Sequence, residues 1–494
     1  MSAPSPAVNF AGRLVSRLSN RSNLIDAATG ETIQPADLSR LISSFAARLL
    51  SAGLKPGDAI VIGCVLAPAS SIAYLGAMYA GLVPVPIEET KLSLFGAALV
   101  HRTGAKALWM ERPRSFDWVG DQQFQLIHGH PSKMSVANIP PAPRQESDLA
   151  VLFATSGSSE APRFVMVSHG NLIANTEAII RSQHLEDDER AMLILPISYC
   201  FGASILHTHL YQGGGVVFDH RFMFPDKVLH SIDCYDCTTF AGVPTVYNIL
   251  LRRSNLRTIP TLKLRRLLQA GGPLAPQQVQ EMRGIVPNAK FYVMYGQTEA
   301  TSRISCLDPA MLDQKLGSVG RPLDNLEVRI RDASGADVPA GEAGEIVVRG
   351  PSVTLGYLNE PEAESCVFKN GWLYTGDLGR LDEHGYLWIE GRKSAFLKMR
   401  GVRINFAEVE ARVAAMPGVY ECAAAAVAHP EAGEALVLYI VPEAKIEDSL
   451  AERVRRSLPI HWTCDCIRIV SEIPKTDNGK ISRDALAREV SGVS

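Results

Sequence analysis

One stretch of the chain, residues 149–163, reads Leu149-Ala150-Val151-Leu152-Phe153-Ala154-Thr155-Ser156-Gly157-Ser158-Ser159-Glu160-Ala161-Pro162-Arg163. Its first residues are apolar and predict a buried strand, and a loop rich in hydroxyl groups follows directly. Thr155, Ser156, Ser158 and Ser159 can each donate a hydrogen bond, while Gly157 lets the backbone turn so that several N–H groups converge on one anion. By itself such a cluster is more often an ordinary turn. A phosphate-binding loop is therefore predicted only together with the motifs that follow.

Four further motifs come after this loop in order. They are Tyr295-Gly296-Gln297-Thr298-Glu299, Tyr374-Thr375-Gly376-Asp377, Gly391-Arg392 with Lys398 and Gly401 beyond it, and Pro474-Lys475-Thr476-Asp477-Asn478-Gly479-Lys480. With the loop, this set resembles the acyl-adenylate-forming (AMP-binding) superfamily, which includes acyl-CoA synthetases, peptide-synthetase adenylation domains and luciferases. The resemblance covers nearly the whole chain, from the turn Lys55-Pro56-Gly57-Asp58 to Lys480, and is closest to a stand-alone acyl-CoA or acyl-carrier ligase.

The resemblance implies a reaction in two steps. A carboxylic acid first reacts with ATP, with Mg²⁺ present, to give acyl-AMP and pyrophosphate; the acyl group then passes to the thiol of CoA or of a carrier-protein phosphopantetheine. The obstacle to the first step is repulsion between two anions, which a lysine in a water-poor site relieves. Lys480 matches the family's lysine for this role, although a lysine in a polar loop is ordinarily just exposed.

The same resemblance assigns the nucleotide contacts. Tyr295 would stack on adenine, Thr298 would bond the α-phosphate, and Glu299 would hold Mg²⁺, a cation that prefers oxygen ligands. Asp377 would accept the ribose hydroxyls, although its Thr-Gly-Asp segment taken alone also fits a simple turn. The other ATP and AMP contacts implied are Thr155, Ser156, Gly157, Ser158, Ser159, Arg163, Gly271, Gly272, Gly296 and Arg392.

An acyl site is implied at several predicted strand ends. Its residues are Tyr199, Phe201, Gly202, Phe240, Gly242, Val243, Ala270, Met294 and Ala300. Amino-acid-activating relatives carry an aspartate at the position that matches Gly202, because a buried ammonium without a counter-ion is costly. Gly202 therefore predicts a substrate without an α-amino group, either an aliphatic (fatty) acid or an aromatic one.

The phosphate loop departs from the family pattern. Glu160 stands where a second glycine is usual, and Arg163 and Phe164 replace a lysine and a glycine. A carboxylate ~4 Å from a phosphate oxygen would be repelled by about 4 kcal/mol at an effective dielectric of 20. We therefore expect Glu160 to turn outward, with Arg163 as a candidate partner.

The resemblance also implies a mobile C-terminal domain. Ser394 occupies the hinge position, where aspartate or lysine is common, so the chemistry of the pivot is not given by the pattern. Two orientations are expected, one presenting Lys480 for adenylation and the other presenting the loop with Lys398 and Gly401 for the thiol step.

Other classes of protein fit the chain less well. A P-loop NTPase is excluded because Gly479-Lys480 is followed by Ile481 rather than by Ser or Thr, and no dinucleotide-binding glycine fingerprint follows a strand. A catalytically impaired relative that only binds acyl-AMP or nucleotide is the remaining alternative, suggested by the altered phosphate loop. Retention of Lys480, Glu299 and Asp377 together argues against it.

Composition limits the compartment and the partners. The 49 basic and 52 acidic residues give a net charge of −3, so the chain lacks the excess of positive charge that binding to nucleic acid requires. The odd number of cysteines, nine, indicates a reducing compartment, by default the cytoplasm. The first residues lack the pattern of a secretory signal. Pro and Gly residues break the apolar run 59–87, which predicts strand, helix and strand rather than a membrane span.

The order of predicted elements indicates an α/β fold. Strands alternate with helices over the first three hundred or so residues, which predicts doubly wound, largely parallel sheets. Short strands with Asp/Gly turns from Gly317 to Glu390 predict a β-barrel-like subdomain. A small α+β domain is expected to follow, so the predicted domains are residues 1–393, which carry the adenylate site, and 394–494, which carry Lys480.

Overall fold

The structure, a computed structural model, describes residues 8–118, 124–133, 137–155, 163–259, 263–393, 396–399, 402–414, 416–429, 433–443, 449–459, 464–475, 481–483 and 485–486. The chain divides into two compact units. Among the described residues, unit 1 comprises 8–155, 163–328 and 348–373, and unit 2 comprises 329–347 and 374 onward. The predicted boundary between residues 393 and 394 stays a prediction, because residues 394 and 395 lie outside the described ones.

Most of the strands have six residues or fewer, and β19, β23 and β24 are longer. In chain order they are β1 (Leu24–Asp26), β2 (Thr32–Ile33), β3 (Ala59–Cys64), β4 (Val83–Glu88), β5 (Ala107–Met110), β6 (Gln125–His128), β7 (Leu149–Ala154), β8 (Phe164–Ser168), β9 (Arg190–Leu193), β10 (Gly215–Phe218), β11 (Thr239–Gly242), β12 (Arg266–Gln269), β13 (Lys290–Tyr295), β14 (Ser305–Cys306), β15 (Arg321–Pro322), β16 (Glu327–Arg331), β17 (Gly344–Arg349), β18 (Phe368–Lys369), β19 (Trp372–Leu381), β20 (Leu387–Arg392), β21 (Phe396–Met399), β22 (Val402–Asn405), β23 (Val419–His429), β24 (Gly433–Pro442) and β25 (Cys464–Ile469).

The helices mostly begin at positions that the sequence marks. Proline occupies the first turn of several, where its missing N–H costs nothing. In chain order the helices are α1 (Phe10–Val15), α2 (Pro35–Ser51), α3 (Pro68–Tyr79), α4 (Leu92–Thr103), α5 (His169–Gln183), α6 (Cys200–Gln212), α7 (Pro225–Cys234), α8 (Pro244–Arg253), α9 (Pro276–Ile285), α10 (Pro361–Val367), α11 (Phe406–Ala414) and α12 (Leu450–Ser457).

A nine-stranded sheet organises unit 1. Its order is β15-β14-β13-β12-β11-β9-β10-β1-β2, and the strands from β13 to β1 pair in parallel. The chain moves from β9 outward to β10 and then returns past β9 to β11, so the direction of winding reverses there. Crossovers in opposite directions put helices on opposite faces, which confirms the predicted doubly wound sheet.

A second parallel sheet, β4-β3-β5-β6, contains the apolar run 59–87. The run folds as β3, α3 and β4, and every residue of α3 is buried, so the prediction of a buried βαβ segment is confirmed. No helix among the described residues is long and apolar enough to cross a membrane.

Unit 2 carries most of a five-stranded sheet and the C-terminal segment. The barrel-like character of these strands stays a prediction. β16, β17, β19 and β20 follow one another in a sheet, with β19 and β20 antiparallel. The C-terminal sheet has the order β23-β24-β25, and β24 alternates between two cores. Leu436, Leu438 and Ile440 pack with α11 and α12, while Val437 and Tyr439 face the other core. This confirms a small α+β fold for the C-terminal segment.

Candidate active site

The predicted site residues of unit 1 lie beyond the carboxyl ends of neighbouring parallel strands. Tyr199 follows β9, Val243 follows β11, Ala270 follows β12 and Gly296 follows β13, and these strands are adjacent in the order β13-β12-β11-β9. Parallel sheets bind ligands at this edge, next to the point where the winding reverses. The tertiary structure therefore gathers segments that are up to a hundred residues apart, as the resemblance implied.

The loop from β13 to β14 carries Thr298 and Glu299 on one turn of 3₁₀ helix, Thr298–Ala300. The backbone at the start of this loop, at Gly296, lies very close to the backbone at Ser302. A Cβ at Gly296 would lie 1.8 Å from the carbonyl oxygen of Ser302. No side chain fits there, so Gly296 is required by the close approach of two backbone segments.

Thr301, in the same loop, adopts a φ of 66°, which is rare for a β-branched residue. Its hydroxyl donates to the Ser352 carbonyl oxygen at 2.7 Å, and its N–H donates to the Thr298 carbonyl oxygen at 2.9 Å. A backbone conformation of this kind costs roughly 1–3 kcal/mol and persists only where the surroundings enforce it. The surroundings therefore hold Thr298 and Glu299 in one arrangement.

The Glu299 carboxylate is oriented by Tyr357, whose hydroxyl donates to Oε1 at 2.7 Å. The Glu299 carbonyl oxygen accepts from the N–H and from the hydroxyl of Thr354, each at 3.0 Å. Burial, reinforced by the charge of Glu299, raises the pKa of Tyr357 above its usual value, so the hydroxyl remains a donor. A half-buried carboxylate with one oxygen held in place suits Mg²⁺, which binds one or two carboxylates together with substrate phosphates.

Two further contacts bring predicted residues together. Thr298 Oγ1 lies 3.4 Å from Cys200 Sγ, at the start of α6. Lys91 Nζ donates to the hydroxyl of Tyr199 at 2.7 Å and lies 3.5 Å from Glu88 Oε1. A lysine that the sequence analysis did not identify therefore stands beside a predicted acyl-site residue.

Packing around Gly202 corrects its interpretation as an indicator of the substrate. A Cβ at Gly202 would lie 2.2 Å from the carbonyl oxygen of Pro196 and 2.8 Å from that of Leu195. A side chain at this position would point into backbone, so the glycine is explained by packing. The missing aspartate thus carries no information about the substrate.

The other predicted acyl residues differ in exposure. Phe240, Ala270, Met294 and Ala300 are buried in the core of unit 1, and the Met294 sulfur accepts from Gln183 Nε2 at 3.1 Å. Gly242 is also buried, where a Cβ would lie 2.7 Å from Cγ1 of Val246. Tyr199, Phe201 and Val243 are half-buried. Which of these residues contact the acyl group stays a prediction.

Gly271 and Gly272, which the resemblance assigns to the nucleotide site, lie on a turn next to one of these residues. Gly271 has a φ of 88°, and a Cβ there would lie 3.1 Å from Cγ1 of Val243. The carbonyl oxygen of Gly272 accepts from Gln269 Nε2 at 2.7 Å. The structure thus brings the predicted nucleotide turn and Val243 together.

The predicted ribose residues meet within unit 2. Asp377 on β19 and Arg392 on β20 are register partners, and Arg392 Nε donates to Asp377 Oδ1 at 3.1 Å. The Asp377 side chain is 8% exposed and that of Arg392 is 61% exposed. Thr375 accepts from the N–H of Asp377 and donates to the Ile346 carbonyl oxygen, so these contacts fix the part of β19 that carries the acid.

The phosphate-loop residues lie largely outside the described ones, namely 156–162. β7 and β8 form an antiparallel hairpin around this loop, with the Thr155 N–H donating to the Arg163 carbonyl oxygen at 2.8 Å. Arg163 Nε contacts Glu360 Oε2 at 3.0 Å, and Glu360 also pairs with Arg102. Glu360 is therefore the described acidic partner of Arg163, and the expected pairing with Glu160 lies outside the described residues.

The residues expected to act in the moving domain are only partly described. Lys480, Ser394 and Gly401 lie outside the described residues. Lys398 stands on β21 opposite Arg403 of β22. Their roles stay predictions.

Comparisons with known proteins identify the family of the chain. A family model for AMP-binding enzymes matches residues 14–358, and one for the AMP-binding enzyme C-terminal domain matches residues 408–480. The chain belongs to the AMP-binding enzyme family.

Relatives of this AMP-binding enzyme match along almost its whole length. Feruloyl-CoA synthase from Amycolatopsis sp is 31% identical over 472 residues, which cover 93% of this chain and 94% of the relative. ATP-bound MatB from Rhodopseudomonas palustris has a TM-score of 0.89 at 25% identity, covering 98% and 99% of the two chains. MenE, the o-succinylbenzoate CoA synthetase from Bacillus subtilis, solved with its acyl-adenylate intermediate, has a TM-score of 0.86 at 26% identity and covers 98% of each chain.

The activity of this AMP-binding enzyme follows from the family. It is an AMP-forming acid–thiol ligase that activates a carboxylic acid with ATP as acyl-AMP and transfers the acyl group to a thiol, as its relatives named as CoA ligases do. ATP with Mg²⁺ is the family's nucleotide substrate, as in the MenE complex with ATP and a magnesium ion. No comparison supports the non-catalytic alternative.

Several residues of the site were not identified from the sequence. Tyr357 and Glu360 follow an irregular segment far from the motifs, and Lys91 precedes a helix without any recognisable pattern. Arg303, whose Cζ lies 4.9 Å from the centroid of the Phe201 ring, offered the clearest signal. It is the first charged residue after Glu299, in the otherwise small or apolar run Ala300-Thr301-Ser302-Arg303-Ile304-Ser305. These residues were missed because their partners are distant in the sequence.

Proposed function

We propose that this ligase activates a carboxylic acid without an α-amino group and transfers it to CoA. The observation that carries the proposal is the charge of the predicted acyl region. Lys91 contacts Tyr199, and the guanidinium of Arg303 lies over the ring of Phe201, with 4.9 Å from Cζ to the ring centroid. Lys91 is paired with Glu88 at 3.5 Å, so the uncompensated charge is that of Arg303, whose Nε and Nη2 have no partner among the described residues. This charge would repel an ammonium, whereas it attracts a carboxylate.

The residues would divide the adenylation step among them. Thr298 would bond the α-phosphate, and Glu299, held by Tyr357, would carry the Mg²⁺ ion that neutralises phosphate charge. Lys480 would bring together the carboxylate and the α-phosphate, since a preorganised charge in a water-poor site stabilises the transition state strongly. Asp377 and Arg392 would hold the ribose. The family resemblance and the paired geometry of the described residues support these roles.

CoA is the expected acceptor, and a carrier-protein phosphopantetheine presents the same thiol. The loop with Lys398 and Gly401 would serve this second step. We also propose a cytoplasmic location, which is supported by the nine cysteines, all of them free thiols.

The test is carboxylate-dependent exchange of pyrophosphate into ATP, measured over aliphatic, aromatic and α-amino acids, and then thioester formation with CoA or a phosphopantetheinylated carrier protein. We expect exchange with acids that lack the α-amino group and thioester with CoA. Exchange with an α-amino acid, under conditions where no other acid reacts, would contradict the proposal. Exchange without any thioester on CoA would overturn the choice of acceptor.

A further inference from the structure

Arg303 is a fully buried arginine at the edge of the predicted acyl site. The residue is 1% exposed. Asn175 fixes its backbone, since the Asn175 amide donates to the Arg303 carbonyl oxygen at 2.9 Å and accepts from the Arg303 N–H at 3.3 Å. The same loop approaches its own start closely at Gly296 and has a rare backbone conformation at Thr301, so the backbone that carries Arg303 is fixed.

One edge of this guanidinium has no partner. Nε and Nη2 of Arg303 are buried and make no hydrogen bond with any described residue, and the flat face of the group lies over the Phe201 ring. A second buried arginine, Arg266, shows the usual arrangement: it is 4% exposed, pairs with the Glu189 carboxylate and donates to backbone carbonyl oxygens. Arg303 therefore carries its charge without the compensation that Arg266 has.

Nε and Nη2 form the side of an arginine that binds a carboxylate with two parallel hydrogen bonds. This chain uses the same pair elsewhere. Arg181 donates from Nε to Asp324 Oδ2 at 2.6 Å and from Nη2 to Asp324 Oδ1 at 2.8 Å. The unpaired edge of Arg303 thus has the donor geometry for one carboxylate.

Leaving such a group buried and unpaired is costly. A charge without a partner in the interior is among the most unfavourable arrangements in a folded protein. Burial lowers the pKa of Arg303 to about 10, so the guanidinium stays charged at neutral pH. A ligand that brings a carboxylate to this edge would relieve the cost and would gain two charge-assisted hydrogen bonds.

We propose that Arg303 binds a second carboxylate of the acyl substrate, so that the acids this enzyme prefers are dicarboxylic. The inference rests on the proposed function, because it assigns a substrate class to the same site. One carboxyl group reacts with ATP at Thr298 and Glu299, and the other pairs with Nε and Nη2 of Arg303. Arg303 is then the residue that determines specificity for the distant end of the acid.

The test compares each dicarboxylic acid with its monoamide, which has the same shape without the charge. Suitable pairs are succinate and succinamate, glutarate and glutaramate, adipate and adipamate, and terephthalate and 4-carbamoylbenzoate. The measured quantity is the ratio of kcat/KM values in ATP–pyrophosphate exchange for the two members of a pair. We expect the wild-type ratio to exceed about tenfold for at least one pair, the scale of one well-made charged contact.

Variants assign this preference to Arg303. Arg303→Met should reduce the ratio to about one or below, and Arg303→Lys should give an intermediate ratio because it keeps the charge without the fork. Arg181→Met removes an exposed fork of the same geometry and should leave the ratio unchanged. Thermal unfolding of each variant controls for loss of fold.

Three results would overturn the proposal. The first is a wild-type enzyme that reacts with monocarboxylic acids but shows a ratio of kcat/KM values, dicarboxylic acid over monoamide, near one in every pair. This result can be obtained without any variant. The second is an equal loss of kcat/KM for both members of a pair in Arg303→Met, which would assign Arg303 to the reacting carboxylate or the phosphate. The third is an unchanged ratio in a folded Arg303→Met protein. If wild-type enzyme exchanges with no acid at all, the proposed function itself fails, and that result is distinct from these three.

Discussion

Replacing Tyr357 by phenylalanine removes the hydroxyl that orients the Glu299 carboxylate. The hydrogen bond from Tyr357 to Glu299 Oε1 is 2.7 Å long and half-buried, and no other described side chain donates to that carboxylate. Without it the carboxylate is free to rotate, and it no longer presents a fixed oxygen to the metal ion that it is proposed to hold. Tyr357 is thus a positioning residue, acting through Glu299.

The size of the effect follows from the kind of bond. A hydrogen bond to a charged group contributes about 1.5–3 kcal/mol. If that contribution applies fully in the transition state, adenylation slows roughly 10- to 100-fold, since about 1.4 kcal/mol corresponds to a factor of ten. The loss should appear in kcat, and half-saturation by Mg²⁺ should move to a higher concentration.

Tyr211 provides a matched control. Its hydroxyl donates to Glu177 Oε1 at 2.6 Å, another tyrosine–glutamate bond in unit 1, and neither residue belongs to the predicted site. Both phenylalanine variants should lose stability by a similar amount in chemical denaturation. Only Tyr357→Phe should slow ATP–pyrophosphate exchange, measured at saturating acid over a range of Mg²⁺ concentrations.

Two results would refute this reasoning. Exchange by Tyr357→Phe within about twofold of wild type, with unchanged Mg²⁺ dependence, would show that Glu299 needs no orientation. An equal loss of exchange in Tyr211→Phe would show that the effect comes from stability.

Three more predictions concern the lysine, the packing and the pH dependence. Lys480→Ala should slow adenylation at least ~10²-fold, the scale of removing one preorganised charge, while transfer from preformed acyl-AMP to CoA slows much less. Gly202→Ala should destabilise the protein by about 1–3 kcal/mol, because the new methyl group meets backbone, and the measurement is urea unfolding. Burial lowers the pKa of His207 to about 3 and that of His209 to about 4, so urea unfolding should show stability falling as the pH drops from about 6.5 towards 4.

Each of these predictions has a control variant or a result that would contradict it. Equal loss of both half-reactions in Lys480→Ala would contradict the role of that lysine. Gly284→Ala places a methyl group on α9 with no atom within 4 Å, and it should be neutral or stabilising by up to about 1 kcal/mol.

The histidine prediction follows from proton linkage. In that pH window the unfolded chain binds protons that the folded chain excludes, at about 1.4 kcal/mol per pH unit for each histidine. His207→Gln removes one such group and should make the fall shallower. An unchanged slope would show that His207 is not excluded from protonation.

Much of the fold could be predicted because local pattern and tertiary structure agree. The apolar run 59–87 was predicted to fold as strand, helix and strand, and the structure has β3, α3 and β4 there. Continuous apolar runs between turns identify parallel strands that are buried on both faces. The motif residues Thr298 and Glu299 could be identified in the same way, because each motif is contiguous in the chain.

The sequence by itself determined the family, the α/β class and the motif residues, since contiguous motifs and periodic apolar residues are local properties. Only the tertiary structure decided what Gly202 and Arg303 mean. Gly202 is a glycine because the Pro196 carbonyl oxygen occupies the space of a side chain, and Arg303 stands out because its Nε and Nη2 have no partner among the described residues. Both facts depend on distances between atoms in three dimensions, and no pattern along the sequence contains those distances.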